Sequence, residues 1–194
     1  MANEILIHTE NTVVCWADET DYDNTNSGLT RTHQLDLTSL ADGAARQAAK
    51  ADLGARRAQG YSVKAAVSFA DAPTAGNAVE FYWSSSPSET AGVGNAGGYA
   101  ADGSAYVTGA DAAFAPAGGA EADIDEYKQH LTFVGVLGAG ADASNVQVSV
   151  INSYFTPPER YGQFVIKNDS GQAFAANASG VYVALIPITD EIAS

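Results

Sequence analysis

Acidic side chains gather at two places where oxygen ligands for a metal ion could arise. The clusters are Asp18, Glu19, Asp21 and Asp23, and, much later, Asp123, Asp125 and Glu126. A calcium loop of the EF-hand type needs Gly at its sixth position and Glu at its twelfth. Counted from Asp21, these positions hold Asn26 and Thr32, so the match fails. A calcium site of another type stays open, but solvated loop charge is the simpler interpretation, and we expect no metal and no other cofactor.

The segment GVGNAG (92–97) matches the G-x-G-x-x-G pattern of dinucleotide-binding sites. Such a site needs its glycines directly after a strand and at the start of a helix, because the helix N-terminus contacts the pyrophosphate. Here SSSPSETA separates the motif from the nearest strand, and GYAADGS follows instead of an amphipathic helix. We therefore interpret the segment as a flexible loop.

Residue types that serve as nucleophiles, bases or zinc ligands are scattered. His8, His33 and His130 stand apart from one another and from the single cysteine, Cys15. One cysteine excludes an intrachain disulfide, and its apolar neighbours predict a buried, inert thiol. The sequence has no G-x-S-x-G elbow, P-loop or H-E-x-x-H motif. A pair of carboxylates assembled in space for glycoside hydrolysis stays open, but we expect a protein that is not an enzyme.

The charge balance limits the kinds of partner. The 194 residues carry a net charge of −14, from 23 acidic and 9 basic side chains. Nucleic acids and anionic membranes bind basic patches, so neither is an expected partner. The N-terminus MANEILIHTE lacks a basic region followed by a long apolar run, so we expect synthesis in a cytoplasm without a secretion signal. A chain of this length predicts one domain, 1–194.

Alternating apolar residues predict an all-β fold, an antiparallel β-sandwich or jelly roll of about eight or nine strands. Segments 61–69 and 79–83 alternate well, and the turn 71–77 between them predicts a hairpin. In the second segment Phe81 and Trp83 should face the core and Tyr82 should face outward. The block 145–193 is typical of strand, Pro157-Pro158 corner, strand, turn and strand. Other strands are predicted near 5–7, 12–16, 30–37 and 129–137.

Two segments interrupt the strand pattern. Residues 39–59 are Ala-rich, and their first part predicts a short helix although Gly43 and Gly54 interrupt it. They form either a solvated basic face or a basic docking edge. Residues 84–126 are Gly- and Ala-rich, without Lys or Arg, and predict a long loop or arm that packs against a neighbour or folds over its own sandwich. Disorder is the competing interpretation, although Tyr99, Tyr106 and Phe114 favour some anchoring. The residues expected to contact a partner are Arg46, Lys50, Arg56, Arg57, Tyr99 and Tyr106.

Four sequence segments together resemble small virion structural proteins of tailed bacteriophages: SLADGAARQAAKADLG (39–54), AVEFYWSSSPS (78–88), TPPERYGQFVIKNDSG (156–171) and VYVALIPITDEI (181–192). The resemblance spans most of the chain and includes no active site. It implies a capsid cement or decoration protein located in the virion, with the major capsid protein or other virion proteins as partners. A tail or neck protein is one alternative. A glycan-binding module using Tyr82, Tyr99 or Tyr106 is another, and a homo-oligomer stays open.

Overall fold

The protein folds into two β-sheets that pack face to face. A computed structural model describes residues 12–188, and within them lie eleven strands and one short α-helix. The strands of the first sheet, in spatial order, are β2 (His33–Gln34), β1 (Val14–Ala17), β11 (Tyr182–Ile188), β5 (Gly60–Val67) and β9 (Gln147–Phe155). Those of the second are β7 (Ala112–Ala113), β3 (Ala45–Gln47), β10 (Tyr161–Asp169), β6 (Ala78–Ser86) and β8 (Thr132–Gly138), with β4 (Ala51–Asp52) also pairing with β10.

The predicted all-β sandwich is confirmed, with more short strands than the eight or nine expected. Every strand pairing within residues 12–188 is antiparallel except that of β1 with β2. The predicted strand at 5–7 lies outside the described residues. The predicted strand at 30–37 is reduced to β2, two residues long.

The predicted hairpin between β5 and β6 does not form. β5 pairs with β11 and β9 in the first sheet, whereas β6 pairs with β10 and β8 in the second. Their inward side chains, including Val63 and Val67 from β5 and Phe81 and Trp83 from β6, meet in the core between the sheets. Alternation identifies the buried face of a strand but not its neighbour, so the faces are confirmed and the pairing was wrong.

Aromatic rings fill the centre of this core. Trp16, Trp83 and Phe164 are fully buried and contact one another edge to face, with ring centroids 5.1–5.9 Å apart. The Trp83 ring also lies directly against Gly162, where an added Cβ would be 2.3 Å from the ring. Only glycine allows β10 to approach the indole this closely.

The Pro157-Pro158 corner is where the chain changes sheets. β9 precedes it in the first sheet, β10 follows it in the second, and β11 returns to the first. The predicted succession of strand, corner, strand, turn and strand is confirmed, and its three strands belong to two layers.

The Ala-rich helix predicted within 39–59 is wrong, because this segment contains β3 and β4. Both strands pair with β10, and β3 alternates as a strand does, with Ala45 and Gln47 buried and Arg46 half-buried. Helical propensity differs by less than about 1 kcal/mol between most residues, so pairing with an available strand outweighs it. The α-helix of the described chain is α1 (Glu121–Tyr127).

Residues 87–131 form the arm, which covers the outer face of the second sheet. Because β6 continues to Ser86, the arm starts slightly later than the predicted 84–126 segment. Its apolar side chains pack on the sheet in a second cluster that includes Tyr82, Val107, Phe114, Ile124, Leu131 and Val165. Tyr82 points outward as predicted, yet it is only 7% exposed. Of the two predicted arrangements, the arm adopts the one that folds over its own sandwich.

Candidate interaction surfaces

Two of the predicted partner contacts, Arg46 and Lys50, instead bind the protein's own arm. Arg46 donates to both carboxylate oxygens of Asp111, with N–O distances of 2.8 and 2.7 Å. The Lys50 ammonium lies in a cage of oxygens from Ser86 Oγ at 3.1 Å and the carbonyls of Ser88, Thr90 and Val93 at 3.0, 2.9 and 3.2 Å. Groups of the arm and of β6 therefore satisfy both cations within the molecule, and contact of these two residues with a partner stays a prediction.

Two further lysines fasten α1 to the second sheet. Lys167, only 2% exposed, donates to Asp125 at 2.7 Å and to Asp169 at 2.8 Å. Lys128 contacts Asp125 at 2.8 Å and Glu80 at 2.7 Å. Burial raises the pKa of Asp125, but hydrogen bonds from Lys128 and Lys167 lower it more, so this pKa lies below its usual 3.8. Ion pairs as well as apolar contacts therefore hold the arm.

The motifs considered for chemistry have structural roles. Asp18 accepts hydrogen bonds from the backbone N–H groups of Thr20 and Asp21, which closes a turn. Cys15 is buried as predicted, and burial raises its pKa to about 11. The GVGNAG segment (92–97) is a loop in the arm, as predicted. Among residues 12–188, no group of three His, Cys, Asp or Glu side chains is arranged to hold a metal ion, and no helix could span a membrane.

The remaining basic residues of 39–59 lie at one end of the sandwich. Arg56 lies in a turn between β4 and β5 and Arg57 directly follows that turn, and neither forms an ion pair in the described part of the chain. Arg57 donates a long hydrogen bond of 3.4 Å to the carbonyl of Pro158. Tyr154 from β9 is 58% exposed, and its ring lies against Gly60, where a Cβ would be 2.4 Å from the ring. We call Arg56, Arg57 and Tyr154 the basic–aromatic end.

A pocket of about 340 Å³ opens between Arg57 and Tyr154. Its other lining residues are Ala55, Ala58, Gln59, Thr156 and Pro157. Sequence reasoning selected the arginines but not Tyr154, because Gly60 and Tyr154 are almost a hundred residues apart. In the sequence, the adjacent aromatic residues Tyr154 and Phe155 indicate that one ring of the pair faces outward from the strand, but they do not indicate which one.

A second surface lies on β9 and the residue before it. Val146, Val148 and Val150 are exposed on the outer side of the first sheet. Val148 pairs with Ala66, and Val150 pairs with Lys64. Alternating valines in a sheet edge normally face the core, so their outward position is unusual. We call Val146, Val148, Val150 and Lys64 the valine face.

The two predicted tyrosine contacts belong to neither surface. Tyr99 is exposed on the arm, whereas Tyr106 is half-buried with its ring 4.8 Å from that of Tyr127. The six predicted contacts therefore do not form one site. Other large apolar side chains exposed within residues 12–188 are Val93, Phe133 and Val136.

Comparison with known proteins finds no similarity that assigns this chain to a family: no family model, no curated protein and no solved structure matches it.

Proposed function

We propose that this chain is a structural protein of a bacteriophage virion, which attaches to the capsid surface and stabilises it through protein–protein contacts without catalysis. The observation that carries the proposal is the basic–aromatic end, where Arg57 and the exposed Tyr154 line one pocket and Arg56 adjoins Arg57 in the chain, on a protein of net charge −14. Neither arginine forms an ion pair within residues 12–188. Arg and Tyr are among the residue types that dominate binding energy at interfaces. The resemblance of four sequence segments to virion structural proteins supports the same role.

Electrostatics favours this end of the molecule as the attachment point. The acidic remainder of the surface repels an acidic capsid surface, whereas Arg56 and Arg57 attract it, so the charges orient the approaching protein. The pocket beside Arg57 offers a recess for a side chain of the partner. Stable attachment requires about 800 Å² from each partner, so residues around the pocket must also make contact.

The test is binding of purified protein to phage particles that lack it. We expect Arg57→Glu to lower the affinity by about tenfold or more, because it places a carboxylate where the partner is acidic. Arg31→Glu is the matched control, because it changes the net charge of the protein by the same amount. Arg31 is distant in sequence from Arg57, and its ion pair with Glu19 is long, at 3.8 Å. Equal occupancy of the two variants on the particle would contradict the proposal.

Copy number in the particle separates capsid attachment from a tail or neck position. A capsid-wide lattice of density for this protein, seen by electron microscopy, supports the decoration role. Density confined to a single ring at the neck, or to the tail, would contradict capsid decoration and support the alternative of a neck or tail protein.

A glycan-binding module on the virion is the second candidate, and the pocket beside Tyr154 favours it. An exposed ring next to the polar side chains of Gln59 and Thr156 is suited to stacking on a sugar while binding its hydroxyls. Of the tyrosines suggested by sequence, Tyr99 stays exposed, whereas Tyr82 and Tyr106 pack against the arm. On a glycan array, binding that Tyr154→Ala abolishes supports this candidate, and an array without binding removes it.

A further inference from the structure

We infer that the valine face binds a second copy of this chain. This inference concerns a different surface from the basic–aromatic end and does not depend on the proposed virion role. It rests on which outer sheet faces are covered, on the distribution of charge, and on two charged groups at the rim of the valine face.

The valine face is one of two exposed apolar areas on the strands that the structure describes; the other is formed by Phe133 and Val136 of β8. The arm covers most of the outer face of the second sheet but leaves Phe133 and Val136 of β8 exposed. On the first sheet, Tyr22 and Leu29 pack over Cys15 and Tyr182, which covers β1 and β11. Val146, Val148 and Val150 are 40%, 52% and 55% exposed, and contiguous exposed apolar side chains of this kind mark interaction sites on monomers.

The charge distribution selects this face for contact between two identical acidic molecules. Residues 131–155 contain a single charged side chain, Asp142, in a protein of net charge −14. Elsewhere two copies would bring carboxylates together, which is unfavourable. Around β8 and β9 they can approach with less of that opposition.

The rim of the face supplies complementary charges for a twofold arrangement. A groove of about 470 Å³ beside Val146 and Val148 is also lined by Lys64 and Asp23. Lys64 has no side-chain hydrogen bond or ion pair within residues 12–188, and the Asp23 carboxylate binds only Thr25 of its own turn. Contacts across a twofold axis are reciprocal, so an axis that sets Lys64 of one copy against Asp23 of the other also sets Asp23 of the first against Lys64 of the second. A face with both signs of charge at its rim fits its own copy.

The exposed apolar area also sets the expected strength. A standard interface buries about 800 Å² per partner, so the three valines supply the minor part and the groove and polar rim must supply the remainder. We therefore expect a dissociation constant in the micromolar range. Since both copies are acidic, raising the salt from about 0.05 to about 0.5 M should strengthen association by screening their repulsion.

Sedimentation velocity and light scattering, up to about 200 µM protein, test the inference. The wild-type chain should approach twice its monomer mass of 20.0 kDa, and Val148→Asp should remain at 20.0 kDa. Val93→Asp is the matched control, because Val93 is 51% exposed against 52% for Val148 but lies on the arm. Circular dichroism establishes that each variant is folded, and Val148→Thr, which keeps the side-chain shape, should still weaken association several-fold.

A charge swap tests the pairing across the twofold axis. Lys64→Glu and Asp23→Lys should each weaken association, and the double variant should restore it. A wild-type chain that stays monomeric at about 200 µM overturns the inference, and so does a Val148→Asp variant that dimerises like wild type. Neither result affects capsid attachment, which is measured through Arg57.

Discussion

At the scale of single residues, the cations divide into those that hold the protein together and those left for a partner. Lys50 and Arg46 look alike in sequence to Arg56 and Arg57, since all four lie in one Ala-rich segment. In the structure the first two face oxygens of the arm and of β6, whereas Arg56 is exposed and Arg57 is half-buried at the rim of a pocket. A charged side chain therefore acquires its role from the acceptors that the fold brings to it.

Replacing Lys50 by Met should lower the free energy of unfolding by about 2–3 kcal/mol, because three carbonyls and a hydroxyl lose a charged donor. The midpoint of urea unfolding measures this change. Arg56→Met is the control, since Arg56 is exposed and forms no ion pair in the described structure, and it should change stability by less than about 0.5 kcal/mol. Similar losses in both variants would show that the oxygen cage adds little.

At the scale of elements, the arm depends on the sandwich for its structure. α1 has seven residues, far fewer than an isolated helix needs in water. It is retained because Ile124 is buried on the sheet and because Lys128 and Lys167 both bind Asp125. Loss of these ion pairs should loosen the arm before the sandwich.

Acidification should release α1. The folded-state pKa of Asp125 lies below its usual 3.8, so this carboxylate contributes stability that is present above about pH 4 and is lost as the pH falls through the folded pKa. Hydrogen exchange of α1 amides, corrected for intrinsic rates, should be slow from pH 7 to about pH 4 and accelerate below that. In Asp125→Asn the amides should exchange faster already at pH 7. If the α1 amides of Asp125→Asn exchange as slowly as those of the wild type at pH 7, the ion pairs of Asp125 are not what holds α1 on the sheet.

At the scale of the whole molecule, the second sheet is the middle layer of three. Its inner face packs against the first sheet around Trp83 and Phe164, and its outer face packs against the arm around Tyr82 and Val165. β10 is accordingly buried along nearly its whole length. The apolar cluster between the sheets and the cluster beneath the arm both include residues of β6 and β10, so disruption of one cluster affects the other.

Unfolding at pH 7 should therefore be a single cooperative transition. Fluorescence of Trp16 and Trp83, both fully buried, reports on the sandwich core, and hydrogen exchange of α1 reports on the arm. The free energies of unfolding from the two probes should agree at pH 7, because shared packing couples them. Values that differ by several kcal/mol would describe an arm that opens independently.

Periodicity in the sequence was sufficient for the fold class and for much of the strand geometry. The inward residues of β5, the opposed faces of Tyr82 and Trp83, and the corner at Pro157-Pro158 follow from local patterns. The hairpin between β5 and β6 and the helix within 39–59 were wrong, since partners distant in sequence decide both. For the candidate surfaces, Arg56 and Arg57 were selected in advance, but Tyr154 and the exposed valines were not.

By itself, then, the sequence determined that this acidic chain is an all-β protein, which residues of its main strands are buried together, and where the chain turns. Only the tertiary structure decided which strands are neighbours, which cations are used internally, and which alternating valines remain on the outside. The physical reason is that alternation is a property of adjacent residues, whereas pairing, ion pairs and exposure depend on distant segments that fold back over the same strands.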